Sequence, residues 1–119
     1  MVKKTAALFS VSIALISLAV LPVSSQTKDP ASAARALYAA WHLKNRRSAR
    51  RVADKDAVSK LFSTRWRAMR FKGCTRRDEG GFECIYVDPK IDLSIAMIVD
   101  GGASAGGYNV ASVSFSSEE

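Results

Sequence analysis

The sequence contains very few of the residues on which metal and redox chemistry depend. It has one histidine and two cysteines among 119 residues, so these types alone cannot supply the four ligands of a structural zinc site. The cysteines do not form a Cys-x-x-Cys pair, which excludes the common dithiol redox motif. A lone histidine leaves no convincing catalytic triad, and no Gly-x-Ser-x-Gly nucleophile elbow occurs. We therefore expect no metal and no cofactor, and we favour a binding role over an enzymatic one.

Two further kinds of site lack their sequence signature. The glycine-rich run at 100–107 has neither the Lys-Ser/Thr pair nor the following helix of a phosphate-binding loop, so we interpret it as a flexible connection. Asp88, Asp92 and Asp100 lie near predicted strand ends, but their spacing matches no EF-hand-type calcium loop. The chain length allows one domain and excludes a multidomain enzyme.

The N-terminus has the pattern of an export signal. Two lysines precede an uncharged, mostly apolar run at 6–21, and small residues precede a potential cleavage site between Ser25 and Gln26. The run is short for a membrane span, which needs about 20 apolar residues. We predict that residues 1–25 are a bacterial signal peptide and that the product is periplasmic or secreted. The alternative is an uncleaved anchor, the one route by which we expect the protein to be held in a membrane.

Cleavage would leave a single domain at 26–119, with flexible ends at 26–30 and 116–119. Cys74 and Cys84 both survive cleavage, and an even pair in an exported protein indicates a disulfide. A domain of this size buries only about 60–70% of its unfolded surface, so a cross-link would help to stabilise it. The chain-entropy model gives about 2.5–3 kcal/mol for a loop of this length.

Hydrophobic periodicity predicts helices in the first half of the domain. Asp29 can cap a helix at about 31–44. Pro30 fits the first position of this helix, where the missing N–H has no cost. The apolar stripe of this helix recurs at helical spacing and should face the core: it comprises Ala34, Leu37, Tyr38 and Trp41. A short basic helical turn follows at 46–52, and Asp54 can cap a third helix that ends at 63–64.

The periodicity then changes to that of strands, at 69–75 and 82–88. If Cys74 faces Cys84 across a hairpin, the loop has an odd length. A three-residue loop ending at Gly80 fits, since glycine accepts the positive φ needed there. The alternation predicts a core face made by Met69, Phe71, Ile85 and Val87. The opposite face, with the disulfide, would carry Lys72, Phe82 and Tyr86.

Two more strands complete the expected sheet. Alternating apolar residues predict a half-buried strand at 93–99, and a last strand follows at 108–115. On this last strand the pattern places Ala111, Val113 and Phe115 on one face and Tyr108 and Val110 on the other. Helices followed by four strands joined by short turns predict an α+β domain, with the N-terminal helices packed on one face of a four-stranded antiparallel meander sheet.

The order of these features resembles a known superfamily. A helix containing Trp41, a basic connection and a hairpin with Gly73-Cys74-Thr75 and Cys84 resemble the nuclear transport factor 2-like and cystatin-like superfamily over about 31–115. They also resemble small exported bacterial proteins of unknown function. The resemblance implies a curved antiparallel sheet with a cone-shaped pocket. It implies no site residues, because no catalytic motif is matched and the chain is short for the enzymes of that superfamily.

The formal charge of +7 is distributed unevenly along the sequence. Residues 44–77, the basic segment, contain 13 basic and two acidic residues, a net charge of +11. Residues 78–119, the acidic segment, contain one basic and eight acidic residues, a net charge of −7. The densest positive charge, which we call the basic patch, comprises Lys44, Arg46, Arg47, Arg50 and Arg51.

The basic patch predicts an anionic partner: lipid head groups, an acidic protein surface or nucleic acid. Nucleic acid is the least favoured, since export removes the protein from most nucleic acid and no recognised motif is present. The competing interpretation is a solvated face, or pairing with the acidic segment. Trp66, between Arg65 and Arg67, is a candidate interface aromatic; alternatively it packs in the joint between helices and sheet. We expect His42 to have a structural role at the edge of the first helix.

Three functions remain open. The first is a small exported, non-catalytic binding protein that uses the basic patch. The second is an inhibitor or accessory subunit of another exported protein, with the disulfide-held hairpin as a rigid wedge. The third is a small-ligand carrier or enzyme, which needs a cavity of roughly a few hundred Å³ between the first helix and the sheet. A core filled by Trp41, Phe62, Phe71 and Met97 would argue against the third.

Overall fold

The computed structural model describes residues 29–102 and 106–117. The predicted signal peptide and its cleavage site lie outside these described residues, as does the middle of the glycine-rich connection. Three helices come first: α1 (Pro30–His42), α2 (Arg46–Arg50) and α3 (Lys55–Phe62). Four strands follow: β1 (Arg70–Arg76), β2 (Phe82–Asp88), β3 (Leu93–Gly102) and β4 (Gly107–Ser117).

The strands form one antiparallel sheet in the order β1-β2-β3-β4, and α1 and α3 pack against it. The predicted α+β architecture, with N-terminal helices on a four-stranded meander, is therefore confirmed. The layers meet in a core whose largest fully buried side chains are Leu37, Val58, Leu61, Cys84, Ile95, Met97, Val99 and Val110. Burial of side chains of this size stabilises the fold by about 1.5–3 kcal/mol each.

Both ends of α1 follow from local chemistry. The Asp29 carboxylate accepts a hydrogen bond from the Ser32 N–H at 2.7 Å, which caps the first turn as predicted. At the other end the Asn45 N–H donates to the Ala40 carbonyl at 2.9 Å, and the Lys44 N–H donates to the Trp41 carbonyl at 3.1 Å. These two bonds form a Schellman motif, which ends the helix.

The α2–α3 region is held against the edge of the sheet. The Val110 N–H donates to the Val52 carbonyl at 2.7 Å, and the Val110 carbonyl accepts from the Asp54 N–H at 2.9 Å. Asp54 takes the N-cap position of α3, but its side chain makes no capping bond. Its carboxylate accepts instead from the Asn109 side-chain amide at 2.6 Å. This carboxylate therefore ties the helices to β4.

The first hairpin has the predicted register. Cys74 lies opposite Cys84 and the two form a disulfide. The Arg77 N–H donates to the Gly81 carbonyl at 3.0 Å, which closes a three-residue loop. Gly80 has a φ of +104°, so the glycine occupies the position that needs positive φ.

The predicted core face of this hairpin is wrong for β2. Cys84 and Tyr86 are buried, with 0% and 4% of their surface exposed, whereas Ile85 and Val87 on the opposite face are half-buried. The cause is the position of α1, which packs on the disulfide side of the sheet. There the Cys84 sulfur lies 3.8 Å from the Pro30 carbonyl oxygen.

Irregularities in the pairing explain the remaining differences. In β1 the register shifts around Lys72, so Phe71 pairs with Tyr86 and their ring centroids lie 5.0 Å apart. Phe71 thus reaches the core side as predicted, but on the same face as the disulfide. In β4 an extra residue at Ala111 turns both Val110 and Val113 into the core, although the alternation places them on opposite faces.

Candidate functional site

Three hydrogen bonds fix the α3–β1 connection (63–69) against α1. The Trp41 indole N–H donates to the Thr64 carbonyl at 3.0 Å. The Tyr38 hydroxyl donates to the Arg67 carbonyl and accepts from the Met69 N–H, both at 2.8 Å. Because Tyr38 and Trp41 belong to the helix stripe that faces the core, the same residues that pack the helix also position the connection.

Trp66 lies between these anchors, half-buried in the joint between helices and sheet. His42 stacks on it, with ring centroids 3.9 Å apart and planes 12° from parallel, and Tyr38 makes a tilted contact at 6.0 Å. The indole N–H of Trp66 is buried and has no hydrogen-bond partner among the described residues. An unsatisfied buried donor costs about 1–3 kcal/mol, which offsets part of the stabilisation that the packing of the indole provides.

A groove of about 560 Å³, the main groove, opens beside Trp66 where α1 ends and α2 begins. Its walls combine aromatic, cationic and hydroxyl side chains: Trp41, Lys44, Arg46, Phe62, Ser63, Thr64, Arg65 and Trp66. The Arg46 guanidinium lies over the Phe62 ring, 5.1 Å from its centroid. Such stacking holds a long side chain in place while leaving its charge at the surface.

Lys44 adopts an unfavourable backbone conformation at the edge of the main groove. Its φ is +57°, in the left-handed region that the Schellman motif requires. Glycine is the usual residue there, since any side chain costs roughly 1–2 kcal/mol in this conformation. A lysine at this position contributes charge at the expense of stability.

Two smaller grooves adjoin the main one. The second, of about 460 Å³, lies between the segments 65–68 and 88–90 and shares Arg65 and Trp66 with the main groove. The third, of about 380 Å³, lies among Arg46, Arg47 and Arg50 and shares Arg46. We call the three together the basic grooves.

The basic patch has no acidic partner within the described residues. The ion pairs that they form are Arg67–Asp88 and Arg77–Glu79, at 2.8 and 2.9 Å. All five patch residues are exposed. Within the described part of the chain, the basic patch therefore forms no ion pair with the acidic segment.

Asp88 is the single carboxylate that lines the basic grooves, and its oxygens are already engaged. Only 4% of this residue is exposed. One oxygen accepts from the Arg67 Nε–H at 2.8 Å and the other from the Lys90 N–H at 2.9 Å. The Arg67 hydrogen bond, followed by that of Lys90, lowers the pKa of Asp88 below its ordinary value of 3.8. The carboxylate is thus a weak base whose charge Arg67 neutralises.

The structure brings most of the predicted contact residues together. Lys44, Arg46, Arg47 and Arg50 line the grooves, whereas Arg51 is exposed at the C-cap of α2 and lines none of the three. Trp66 lines two of them. Phe62 and Lys90 join them without having been predicted. The Arg65-Trp66-Arg67 alternation in the sequence indicates that the α3–β1 connection belongs to the site. No local signal indicates that the β2–β3 turn brings Lys90 to the same place.

Other chemistry finds little support in the described ranges. They contain no group of three His, Cys, Asp or Glu side chains that could hold a metal ion. No helix within them is long and apolar enough to cross a membrane. His42 is exposed on α1, and the ring that it stacks on is Trp66. What the arrangement can do is bind anions through fixed cations beside aromatic rings.

No protein-family model matches the chain, and no curated protein or solved structure is significantly similar to it. Its function must therefore be inferred from the geometry of the basic grooves and the basic patch.

Proposed function

We propose that this is a small exported binding protein without catalytic activity, and that its basic patch contacts an anionic partner. The observation that carries the proposal is the absence of acidic partners for the patch within the described residues. Several like charges held close together on a short helix repel one another. An external anion would relieve that repulsion, and it would also be drawn to the patch from a distance.

The fold is consistent with the exported part of the proposal. Disulfides form and persist mainly in oxidising compartments, and the Cys74–Cys84 bridge joins two strands of the sheet. The carrier hypothesis has less support, because Trp41 and Met97 are buried in the core and Phe62 and Phe71 pack against it. The walls of the three basic grooves come from the end of α1, from α2, from residues 62–68 and from residues 88–90, and not from the middle of the sheet.

Charge reversal on α2 tests the proposal. We expect the purified Arg47→Glu/Arg51→Glu variant to elute from a sulfonate polyanion resin at clearly lower salt, with affinity reduced about tenfold or more. Longer-range charge effects are screened at high salt, so the binding step is run at low ionic strength. Circular dichroism would verify that both proteins are folded.

Arg70→Glu/Lys72→Glu is the matched control. These two residues are exposed on β1 and line none of the three grooves, and their reversal changes the net charge by the same amount. We expect the control to lose much less affinity. Equal losses in the two variants would show that net charge alone governs retention, and unchanged retention of the patch variant would refute the proposal.

A further inference from the structure

The arrangement of the basic grooves indicates a kind of partner. The main groove shares Arg46 with the third groove and shares Arg65 and Trp66 with the second, so the three are neighbours and form a row, which we call the path. A path of this kind fits an extended chain better than a single small anion. A flat bilayer would contact protruding residues in preference to the floors of the grooves.

The charge along this path that has no partner among the described residues is positive. Cationic side chains of this kind recur from the third groove to the second: Arg47, Arg50, Arg46, Lys44, Arg65 and Lys90. The second groove also contains Asp88, whose charge Arg67 neutralises. Repeated cations along a groove are complementary to a polymer that carries repeated negative charges.

Aromatic rings narrow the class of polymer. Phe62 and Trp66 are half-buried walls of the main groove, and each already has a stacked neighbour on one face, Arg46 and His42 respectively. Nucleobases bind by stacking on open aromatic faces, and one face of each of these two rings is already occupied. Sugar rings are less demanding, because their apolar C–H surfaces can contact ring edges and arginine stems.

We infer that the basic grooves bind a linear acidic polysaccharide, with its carboxylates on the groove cations and its sugar rings against Phe62 and Trp66. This inference rests on the proposed function and gives the anionic partner a chemical class. The main groove, at about 560 Å³, falls within the roughly 300–1,000 Å³ typical of ligand sites. The strained lysine at position 44 is explained as a groove cation that glycine could not replace.

The first experiment compares polymers at low ionic strength by fluorescence anisotropy of the purified chain. The probes are labelled oligogalacturonate, oligoglutamate with the same number of carboxylates, inorganic polyphosphate, a single-stranded oligonucleotide and phosphatidylglycerol vesicles. We expect oligogalacturonate to bind at least about tenfold more tightly than oligoglutamate, since only it adds ring contacts to the same charge. Equal affinities would overturn the polysaccharide inference while leaving the proposed function intact, as would preferential binding of the oligonucleotide or vesicles. Absence of binding to every probe would refute both.

The second experiment locates the site. We expect Arg65→Gln to weaken oligogalacturonate binding about tenfold, because Arg65 lines two grooves. Arg70→Gln, an exposed arginine on β1, is the matched control and should change it less than about twofold. Phe62→Leu should weaken binding of oligogalacturonate but not of polyphosphate. If Arg65→Gln has no greater effect than its control, the polysaccharide does not bind in the grooves.

Lys44→Gly provides a readout that a merely structural role would not give. Glycine relieves the left-handed strain at this position, so we expect the melting temperature to rise while oligogalacturonate binding weakens. A variant that is more stable and binds equally well would remove Lys44 from the site. Loss of binding accompanied by lower stability would mean that the lysine supports the fold, which contradicts its assignment as a strained groove cation.

Discussion

The basic and acidic segments carry opposite charge but distribute it in different ways. The basic segment concentrates five cations on one short helix and its flanks, and none of them has an acidic partner in the described ranges. Six of the eight carboxylates of the acidic segment are spread over the hairpin loop, β2, the β2–β3 turn and β3, and the other two lie outside the described residues. The disulfide Cys74–Cys84 and two ion pairs, Arg67–Asp88 and Arg77–Glu79, join the two segments, together with hydrogen bonds such as those between β1 and β2.

This difference separates charge that holds the fold together from charge that is available for binding. Asp88 is buried and its partner Arg67 is partly covered, so water screens their interaction only in part. The arginines of α2 are exposed, and folding gives them no such contact. Opposite net charges on two segments therefore do not by themselves bring the charges together; the strand order and the ends of the helices decide which ones meet.

Among the contacts that join the two segments, the disulfide should make the largest contribution to the free energy of unfolding. We expect the Cys74→Ala/Cys84→Ala variant to lose about 2.5–3 kcal/mol in free energy of unfolding, because the unfolded chain regains the freedom of the closed loop. Urea denaturation would measure this loss. Because Cys84 is fully buried, the lost sulfur adds a packing contribution.

Reduction of the wild-type protein with dithiothreitol is the control, since it opens the bridge without deleting the sulfurs. We expect it to account for most of the loss in the double variant. If reduction lowers the free energy of unfolding by less than about 1 kcal/mol, the hydrogen bonds between β1 and β2 and the Gly80 loop hold the hairpin together without the cross-link.

The Arg67–Asp88 pair should have the next largest effect. We expect Arg67→Met to lower the melting temperature by about 5–10 °C, because it leaves the buried Asp88 without its charged partner. Arg65→Met, two residues away and without an acidic partner in the described ranges, is the matched control and should lower it by less than about 2 °C. Equal effects would show that the ion pair adds nothing beyond packing.

The pH dependence gives this prediction a second readout. The pKa of Asp88 is lowered in the folded protein, so the pair stabilises the fold above the ordinary pKa of 3.8 and the contribution disappears as the pH falls toward the lower, folded pKa. The difference in melting temperature between wild type and Arg67→Met should therefore narrow below about pH 4. A constant difference down to strongly acid pH would mean that another interaction is responsible.

Much of the fold could be predicted from local sequence, because its determinants are local. Asp29 and Pro30 start α1, and the two cysteines together with Gly80 define the register of the hairpin. The face of β2 that becomes buried could not be predicted in this way. Ile85 and Val87 are as apolar as core residues, but α1 covers the other face, and this depends on the packing of an element more than 40 positions earlier.

In the candidate site, too, the local features could be predicted from the sequence and the contacts between distant residues could not. Five adjacent cations and the Arg65-Trp66-Arg67 alternation are visible in the sequence, and four of those five line the grooves. The grooves lie next to one another, however, only because the Tyr38 and Trp41 hydrogen bonds fix the α3–β1 connection against α1. The second groove also requires the β2–β3 turn, which carries Lys90. Contacts between residues so far apart in the chain leave no local pattern.

Substitutions in the basic patch itself should have the smallest effect on stability. The effect should also be opposite in sign, because loss of a patch charge stabilises the fold whereas loss of Arg67 destabilises it. Arg50 lies one helical turn from Arg46, so we expect Arg50→Gln to relieve repulsion and raise the free energy of unfolding by about 0.2–0.5 kcal/mol at low salt. This gain should disappear in about 0.5 M salt, because screening removes the repulsion. Urea denaturation at both salt concentrations would measure it, with Arg50→Lys as the control that keeps the charge. A loss of more than about 1 kcal/mol in Arg50→Gln would instead assign Arg50 to the charges that hold the fold together, and the patch could no longer be regarded as charge left free for a partner.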